Sequence, residues 1–425
     1  MNRSTPLFLA ISSLLLSASA SAITDTESLS GAQFNFSNPG ARSLAMGGAF
    51  IALADDATAA VANPAGLMQL SSTQVSLELR STSFDTPFVS GGSYGINPLN
   101  RSGLAFGESQ ERENGVAFAA FTRAGERLSW SLFYHQLGSF SNSLANSGVR
   151  LNEISPTALF IEPYTAQLEF SVEGFGGAVA TKLGEQFLIG FNVASYSFDY
   201  SASRVQFDSA QPTLPVRNTL SESESDSRDL GFGVGALFKP NDVFSMGLSY
   251  IRAPEFQYQS TLRPASGNTR VALASFNVPH RLSLGAAYRA SDALTFSFEA
   301  SRVEYSRLAE NATSAFTIPP SFSADDGTEI RFGMEYVLLN MQRPLSLRAG
   351  VWRDPAHRVT SIDPTATNLI DRAAQSINWA LFTPGEDQTH VSFGLGWAFE
   401  SFQFDVGADL SEEYDTVSMS GVWRF

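Results

Sequence analysis

The side chains able to do chemistry are few: the 425-residue chain has four histidines and no cysteine. His135, His280, His357 and His390 stand far apart, and none falls in an HExxH or similar metal-ligand spacing. Three lie at or near the ends of alternating apolar segments and His357 in a long connection, so they read as polar lining or rim residues. Hydrolysis by a serine nucleophile needs a Ser–His pair within hydrogen-bond reach. Serine is plentiful, but no GxSxG motif occurs. Asp325-Asp326-Gly327 supplies two carboxylates where calcium takes roughly six to eight oxygens, and reads as a turn. The acidic run Ser221–Asp229 (SESESDSRD) reads as a solvated loop rim. Without cysteine there is no thiol chemistry and no disulfide framework. No enzyme, metal or cofactor is expected.

The elements that carry these residues are strands. Apolar residues alternate with polar ones in segment after segment. Val75, Leu77 and Leu79 share one face, as do Phe187, Ile189, Phe191 and Val193, then Leu230, Phe232, Val234 and Ala236, then Val391, Phe393, Leu395 and Trp397. With Gly115–Arg123 and the long segment Tyr164–Leu183, about fourteen such segments fill residues 73–425. Many run for about 9–12 residues, the length a tilted bilayer crossing needs, where a soluble sandwich typically uses about 5–6. Short connections (Ala124–Glu126, Gly184-Glu185, Lys239–Asp242, Ala290–Asp292) alternate with long ones (85–114, 138–163, 203–227, 259–279, 309–327, 354–387). That is the loop asymmetry of a bacterial transmembrane barrel. In hydrocarbon every backbone polar group must be paired, and closure removes the edges. Tyr134, Tyr250, Tyr288, Tyr336, Trp397 and Trp423 fall near segment ends, where interfacial aromatic girdles belong. The expected fold is all-β, a transmembrane antiparallel β-barrel of about fourteen strands with a small N-terminal helical plug.

Composition agrees with export to a membrane. Residues 1–22 read as a signal peptide, with Arg3, the apolar run Leu7–Leu16 and an Ala20-Ser21-Ala22 cleavage site. That run is too short to span a bilayer, and no later stretch approaches 18 consecutive apolar residues, which excludes a helical membrane protein. The net charge of −15 opposes nucleic-acid binding.

Residues 23–72 are the expected plug. In Asn38–Leu70, Asp55 or Asp56 can cap the run Ala57–Ala62; Asn63-Pro64 ends that run and can start another turn, with Asn63 as N-cap and Pro64 first in the helix. The result is two or three short turns, too short to stand alone. Read locally, this is an N-terminal subdomain punctuated by Gly and Pro. The segment GARSLAMGGAFIALADDATAAVANPAGL, however, resembles the N-terminal signature of the FadL/TodX outer-membrane transport family and its PorV-like relatives. The resemblance implies a hatch at Asn63, Pro64, Ala65 and Gly66, and passive uptake of hydrophobic compounds such as long-chain fatty acids or aromatic hydrocarbons. It also implies a ligand that shifts the N-terminal segment and leaves sideways through the wall. Gly174–Gly177 (GFGG) is a candidate bend for such an opening.

Three stretches expected in external loops are apolar: Ile154–Tyr164, Val271–Val278 and Asn368–Phe382. They either pack on one another over the barrel mouth or expose a binding surface. Under the transport reading, Leu159, Phe160, Ile161, Leu369, Ile377, Trp379, Leu381 and Phe382 capture the ligand. The expected partners are a hydrophobic or fatty-acid ligand, outer-membrane lipid and lipopolysaccharide, and the outer-membrane assembly machinery, which reads a terminal aromatic such as Phe425. The alternative is a PorV-like docking or shuttle barrel, whose loops grip a protein.

Overall fold

The computed structural model describes residues 34–94, 103–151, 160–207, 217–264, 267–310, 322–361, 379 and 382–425. The expected signal peptide lies outside them. Fourteen antiparallel strands close into one barrel. In chain order they are β1 (Gln74–Tyr94), β2 (Leu104–Arg123), β3 (Leu128–Asn146), β4 (Tyr164–Leu183), β5 (Phe187–Phe207) and β6 (Arg217–Phe238). Then come β7, in two pieces (Phe244–Arg252 and Glu255–Pro264), and β8, also in two (Arg270–Asn277 and Arg281–Arg289). The circuit ends with β9 (Leu294–Val303), β10 (Gly327–Leu338), β11 (Leu345–Asp354), β12 (Gln388–Ala398), β13 (Phe402–Leu410) and β14 (Tyr414–Arg424). β14 closes on β1 from Gln74↔Arg424 to Phe84↔Tyr414. Among the described residues no helix is long and apolar enough to cross a membrane; the strands do it.

Alternation sets the two faces. Phe187, Ile189, Phe191 and Val193 on β5 are 38–51% exposed, although all are large and apolar. Equivalent residues form a belt around the whole wall, which only lipid can cover. On β4 the belt runs from Phe175 to Leu183. At about 3.3 Å per residue and a tilt near 40°, that run is roughly 20 Å tall, close to the apolar band of such barrels. Tyr288, Tyr336, Trp397 and Trp423 are exposed toward the short-turn rim, and Tyr250 toward the other. Tyr134 on β3 is tied through its hydroxyl to Glu173.

The strands are unequal. β1–β6 run 19–22 residues, whereas β9–β14 run 9–12. Much of what the sequence suggested were external loops is therefore wall. The acidic run Ser221–Asp229 is part of β6, with Ser221 and Ser223 buried inward and Glu222 and Glu224 pointing out. Val271–Val278 is likewise mostly strand, with Val271 and Leu273 exposed and Phe276 buried. The expected bend at Gly174–Gly177 is absent: β4 pairs with β5 from Tyr164↔Gln206 to Leu183↔Phe187 without a register shift. The irregularity lies in the neighbouring strand β3, between Gln136 and Gly138.

Candidate functional site

The N-terminal segment lies inside the barrel. Helix α1 (Ala41–Ala45), helix α2 (Ala59–Ala62) and a 3₁₀ helix (Pro64–Gln69) fill the lumen, and Ala41, Ala45, Met46, Phe50, Ile51, Ala65 and Leu67 are almost fully buried. Asn63 caps the 3₁₀ helix: its side-chain oxygen accepts from Ala65 N–H at 3.3 Å, with Pro64 in the first turn. Its amide donates to Ile51 O at 2.9 Å and to Ala236 O on β6 at 3.3 Å, so one side chain joins two plug segments to the wall. Asp56 accepts from Thr58 N–H at 2.9 Å, ahead of α2, while Asp55 pairs with Arg42.

Two devices fix the plug. The first is an absence of side chains. Inward positions of successive strands carry glycine, and plug backbone lies against them. A Cβ at Gly350 would sit 2.2 Å from Gly47 N, one at Gly247 2.4 Å from Ile51 O, and one at Gly407 2.4 Å from Ala41 O. Gly235 would meet Asn63 Oδ1 at 2.0 Å. The sequence carries the signal, a glycine in the polar register of strand after strand, but apolar periodicity does not weigh it. The second device is charge. Arg348 bonds Glu335 and Asp405, both at 2.6 Å, and Arg42 of α1 reaches Glu335 at 2.9 Å. Glu299 accepts from the N–H groups of Phe50 and Ile51 at 3.0 and 3.1 Å, Glu78 accepts from Gly40 N–H at 2.6 Å, and Arg331 donates to Gly47 O at 3.0 Å. Buried charges persist when paired and hydrogen-bonded, as these are.

Beyond the plug the lumen holds an aromatic cluster. Phe34 packs on Phe36, Phe140, Phe170 and Phe276 at 5.3–6.3 Å, and Phe198 extends the stack to Phe256 and Tyr200. Between plug and cluster lies a cavity with about 50 Å³ of space for the centres of water-sized molecules, opening to solvent. Phe36, Phe133, Leu137, Val61 and Val278 make it mainly apolar. His135 and Tyr196 on its wall bond each other at 3.2 Å. Arg281 is different: it donates to Phe36 O at 3.0 Å and to Asn38 Oδ1, both neutral acceptors, and among the described residues no carboxylate lies within ion-pair distance.

Among the described residues, two interruptions of the ladder border the cavity. Pairing of β2 with β3 stops at Phe118↔His135, so residues 104–117 of β2 have no ladder partner on that side. Among the described residues the seam is bridged at Ser143, whose Oγ donates to Glu111 at 2.7 Å and whose N–H donates to Ser109 Oγ at 3.3 Å. It opens beside the outer end of the apolar belt, and the cavity reaches it at His135 and Leu137. The second interruption separates β6 from β7. Pairing stops at Phe232↔Arg252 and resumes at Glu224↔Gln259.

The remaining expected residues place as follows. Leu159, Leu369, Ile377 and Leu381 lie outside the described residues. Phe160 and Ile161 form a short strand against Val149 and Arg150. Trp379 is half-buried against the apolar core, and Phe382 is fully buried, its ring 4.6 Å from Phe322, so it offers no exposed surface for capture. No serine protease-like pair forms at His390: it and Ser392 both bond Asp409 instead of each other. His357, in the connection after β11, is buried with both ring nitrogens 2.8 Å from carbonyl oxygens of Pro355 and Phe34.

Residues 165–417, more than half of the chain, match the sequence profile of a family described as outer membrane protein transport protein (OMPP1/FadL/TodX). The chain belongs to this family. It is an outer-membrane channel protein of the hydrophobic-compound type and not an enzyme. Among solved structures, a Pseudomonas aeruginosa FadL homologue is similar at 15% identity, TM-score 0.65, over 93% of this chain and 100% of that one. The Pseudomonas putida toluene transporter TodX is similar at 14% identity, TM-score 0.61, over 92% and 99%. The Ralstonia pickettii toluene transporter TbuX is similar at 15% identity, TM-score 0.60, over 92% and 99%. At such identities the likeness speaks for the fold. No curated protein matches the chain.

Proposed function

We propose that this protein takes up long-chain fatty acids or similar apolar monocarboxylates passively, holding them in the cavity between plug and aromatic cluster. The observation that carries this reading is Arg281, a half-buried guanidinium with no carboxylate within ion-pair distance among the described residues, on the wall of a mainly apolar cavity that Glu329 and Arg252 also line. A guanidinium presents a planar fork of donors suited to a carboxylate, and burial strengthens the attraction. The solved relatives named as toluene transporters carry uncharged aromatic cargo; the same cavity without a free cation would suit that cargo better.

Apolar outer-loop residues, Trp379 among them, gather the ligand from the polar surface layer. It enters the cavity, displaces Phe36 and Asn38 from Arg281, and so works the plug whose hatch is Asn63–Gly66. Release runs sideways between β2 and β3, where no ladder pair need part. Nothing in the comparisons supports the docking alternative.

The test is mass spectrometry of lipid co-purified in mild detergent, with uptake of a labelled fatty acid by expressing cells. A stoichiometric fatty acid, reduced at least tenfold in Arg281→Leu, supports the reading. A ligand-free protein, or an Arg281→Leu variant that takes up fatty acid unchanged, sinks it.

A further inference from the structure

The β6–β7 interruption lies on the far side of the cavity from the β2–β3 seam. We propose that it is a second lateral portal, passing hydrocarbon (an alkyl chain or an uncharged apolar molecule) between the cavity and the outer leaflet. The inference rests on the transport reading above.

Four observations meet at this place. First, β6 residues 225–231 face β7 residues 253–258 with no ladder pair, while β5 stays paired with β6 throughout and β8 with β7 from Glu255 on; at Arg252–Pro254 the β8 side is held by Val278 N–H donating to Pro254 O at 3.2 Å. Second, the cavity extends into the interruption: Gly231, Phe232, Ile251, Arg252, Ala253 and Pro254 line it. Third, the free backbone groups are satisfied by side chains. Glu255 N–H donates to Asp229 at 2.9 Å, Ser225 Oγ to Gln257 O at 2.7 Å, and Arg252 to Leu230 O at 3.3 Å. Pro254 has no N–H to donate, so ladder bonding cannot run through it. Side-chain bonds can part by rotation without unzipping the wall. Fourth, the mouth is set at the lipid boundary. Leu230 and Tyr250 are exposed there, and Arg252 covers Phe232 at 5.8 Å as a flap with an apolar stem.

Gly231 guards the inner mouth by being small. A Cβ there would lie 2.9 Å from the Tyr196 ring and 3.4 Å from Arg252 O, so a larger side chain fills the passage. Its backbone carries no positive φ, so a substitution would act by volume.

The experiment uses the full-length protein in outer membranes, a diazirine-bearing alkyl fatty acid as probe, and peptide mass spectrometry of the crosslinks. Ala253 and Pro254 are buried, so labelling there marks the passage and not the lipid-facing surface, for which Phe175 is the reference. The expected result is labelling of Ala253–Pro254 together with cavity residues Leu137 and Tyr196, and loss of the former in Gly231→Val. A staple, Asp229→Cys with Glu255→Cys, should lower probe uptake at least twofold when oxidised and restore it on reduction; the chain has no other cysteine to confuse the assay. Heat-modifiable electrophoretic mobility confirms that each variant is folded. Cavity labelling without any at Ala253–Pro254 overturns the portal and leaves the transport reading standing. Absence of labelling in the cavity overturns both.

Discussion

The two halves of this barrel are built to opposite ends. Around β9–β14 the strands are short, their pairing is unbroken, and plug and wall meet through glycines and buried ion pairs. Around β1–β8 the strands are long; glycines on β5, β6 and β7 still seat the plug, but beyond it the lumen side is aromatic and, among the described residues, the wall parts at two places bordering the cavity. The first half anchors; the second can yield. The difference follows from what each uses to fill space. Backbone against glycine leaves no room for adjustment, because protein interiors are close-packed, whereas phenylalanine rings at 5–6 Å can slide over one another to admit another apolar group.

The largest effect should come from destroying the fit in the anchoring half. Gly350→Val places atoms where Gly47 N and Met46 C already are, and both are backbone. The expected outcome is loss of the folded, heat-modifiable form. Gly177→Ala, whose Cβ would have nothing nearer than 3.7 Å, should leave mobility and stability unchanged. Equal behaviour of the two variants would break the contrast.

Next comes charge. Arg348→Met strips the common partner from Glu335 and Asp405, leaving carboxylates in a site that is nearly dry. Removing one member of a buried ion pair costs about 3–5 kcal/mol. Denaturant unfolding in detergent micelles should show a loss of that order. Arg252→Met, at the more exposed mouth of the β6–β7 interruption, should cost under about 1 kcal/mol, since exposed ion pairs contribute little.

How much of this contrast could be read from the sequence depends on which solvent each face meets. Where the outward face meets lipid, Leu and Phe alternate with Ser and Gly, so the belt and the fourteen crossings were legible. Beyond the belt the outward face meets water. There β6 alternates Ser inward with Glu and Asp outward, and an apolar count sees only a polar stretch. That is why Ser221–Asp229 was expected in a loop. The plug was legible through Asn63-Pro64, a local capping signal. The seams were not, because they are statements about which strands pair. Pro254 and Pro279, inside otherwise regular strand patterns, were the available hints. Arg281 as a cavity cation needed the knowledge of which arginines lack a carboxylate, which only the fold supplies.

A smaller effect is expected at the hatch itself. Asn63→Ala removes a cap and two bonds to backbone oxygens. Caps of this kind are worth about 0.5–2 kcal/mol. The barrel should remain folded, while amide exchange across residues 50–66 quickens. An unchanged exchange pattern in that stretch would remove Asn63 from the hatch.

The smallest and most conditional effect joins the two halves. His357, beyond the end of β11, stacks on Tyr305 at 3.7 Å and reaches Phe34 O across the lumen, so an anchoring-half residue holds the segment that leads into the aromatic cluster. Burial disfavours its charged form, but the Asp354 carboxylate at 3.4 Å and the carbonyls of Pro355 and Phe34 outweigh burial and raise its pKa above the ordinary value. Both ring nitrogens face acceptors, so the doubly protonated ring satisfies both. Since the folded value exceeds the unfolded one of about 6.5, the stabilisation is complete below that pH. It is lost as pH climbs through the folded value. Proteolysis of the segment from Phe34 to Gly40, and its amide exchange after correction for the base-catalysed intrinsic rate, should therefore be faster at pH 9 than at pH 6. His357→Gln should show the faster behaviour at both pH values, with β10–β13 unaffected. A pH response that persists in His357→Gln would assign the titration to another group and leave Phe34 held by ring packing alone.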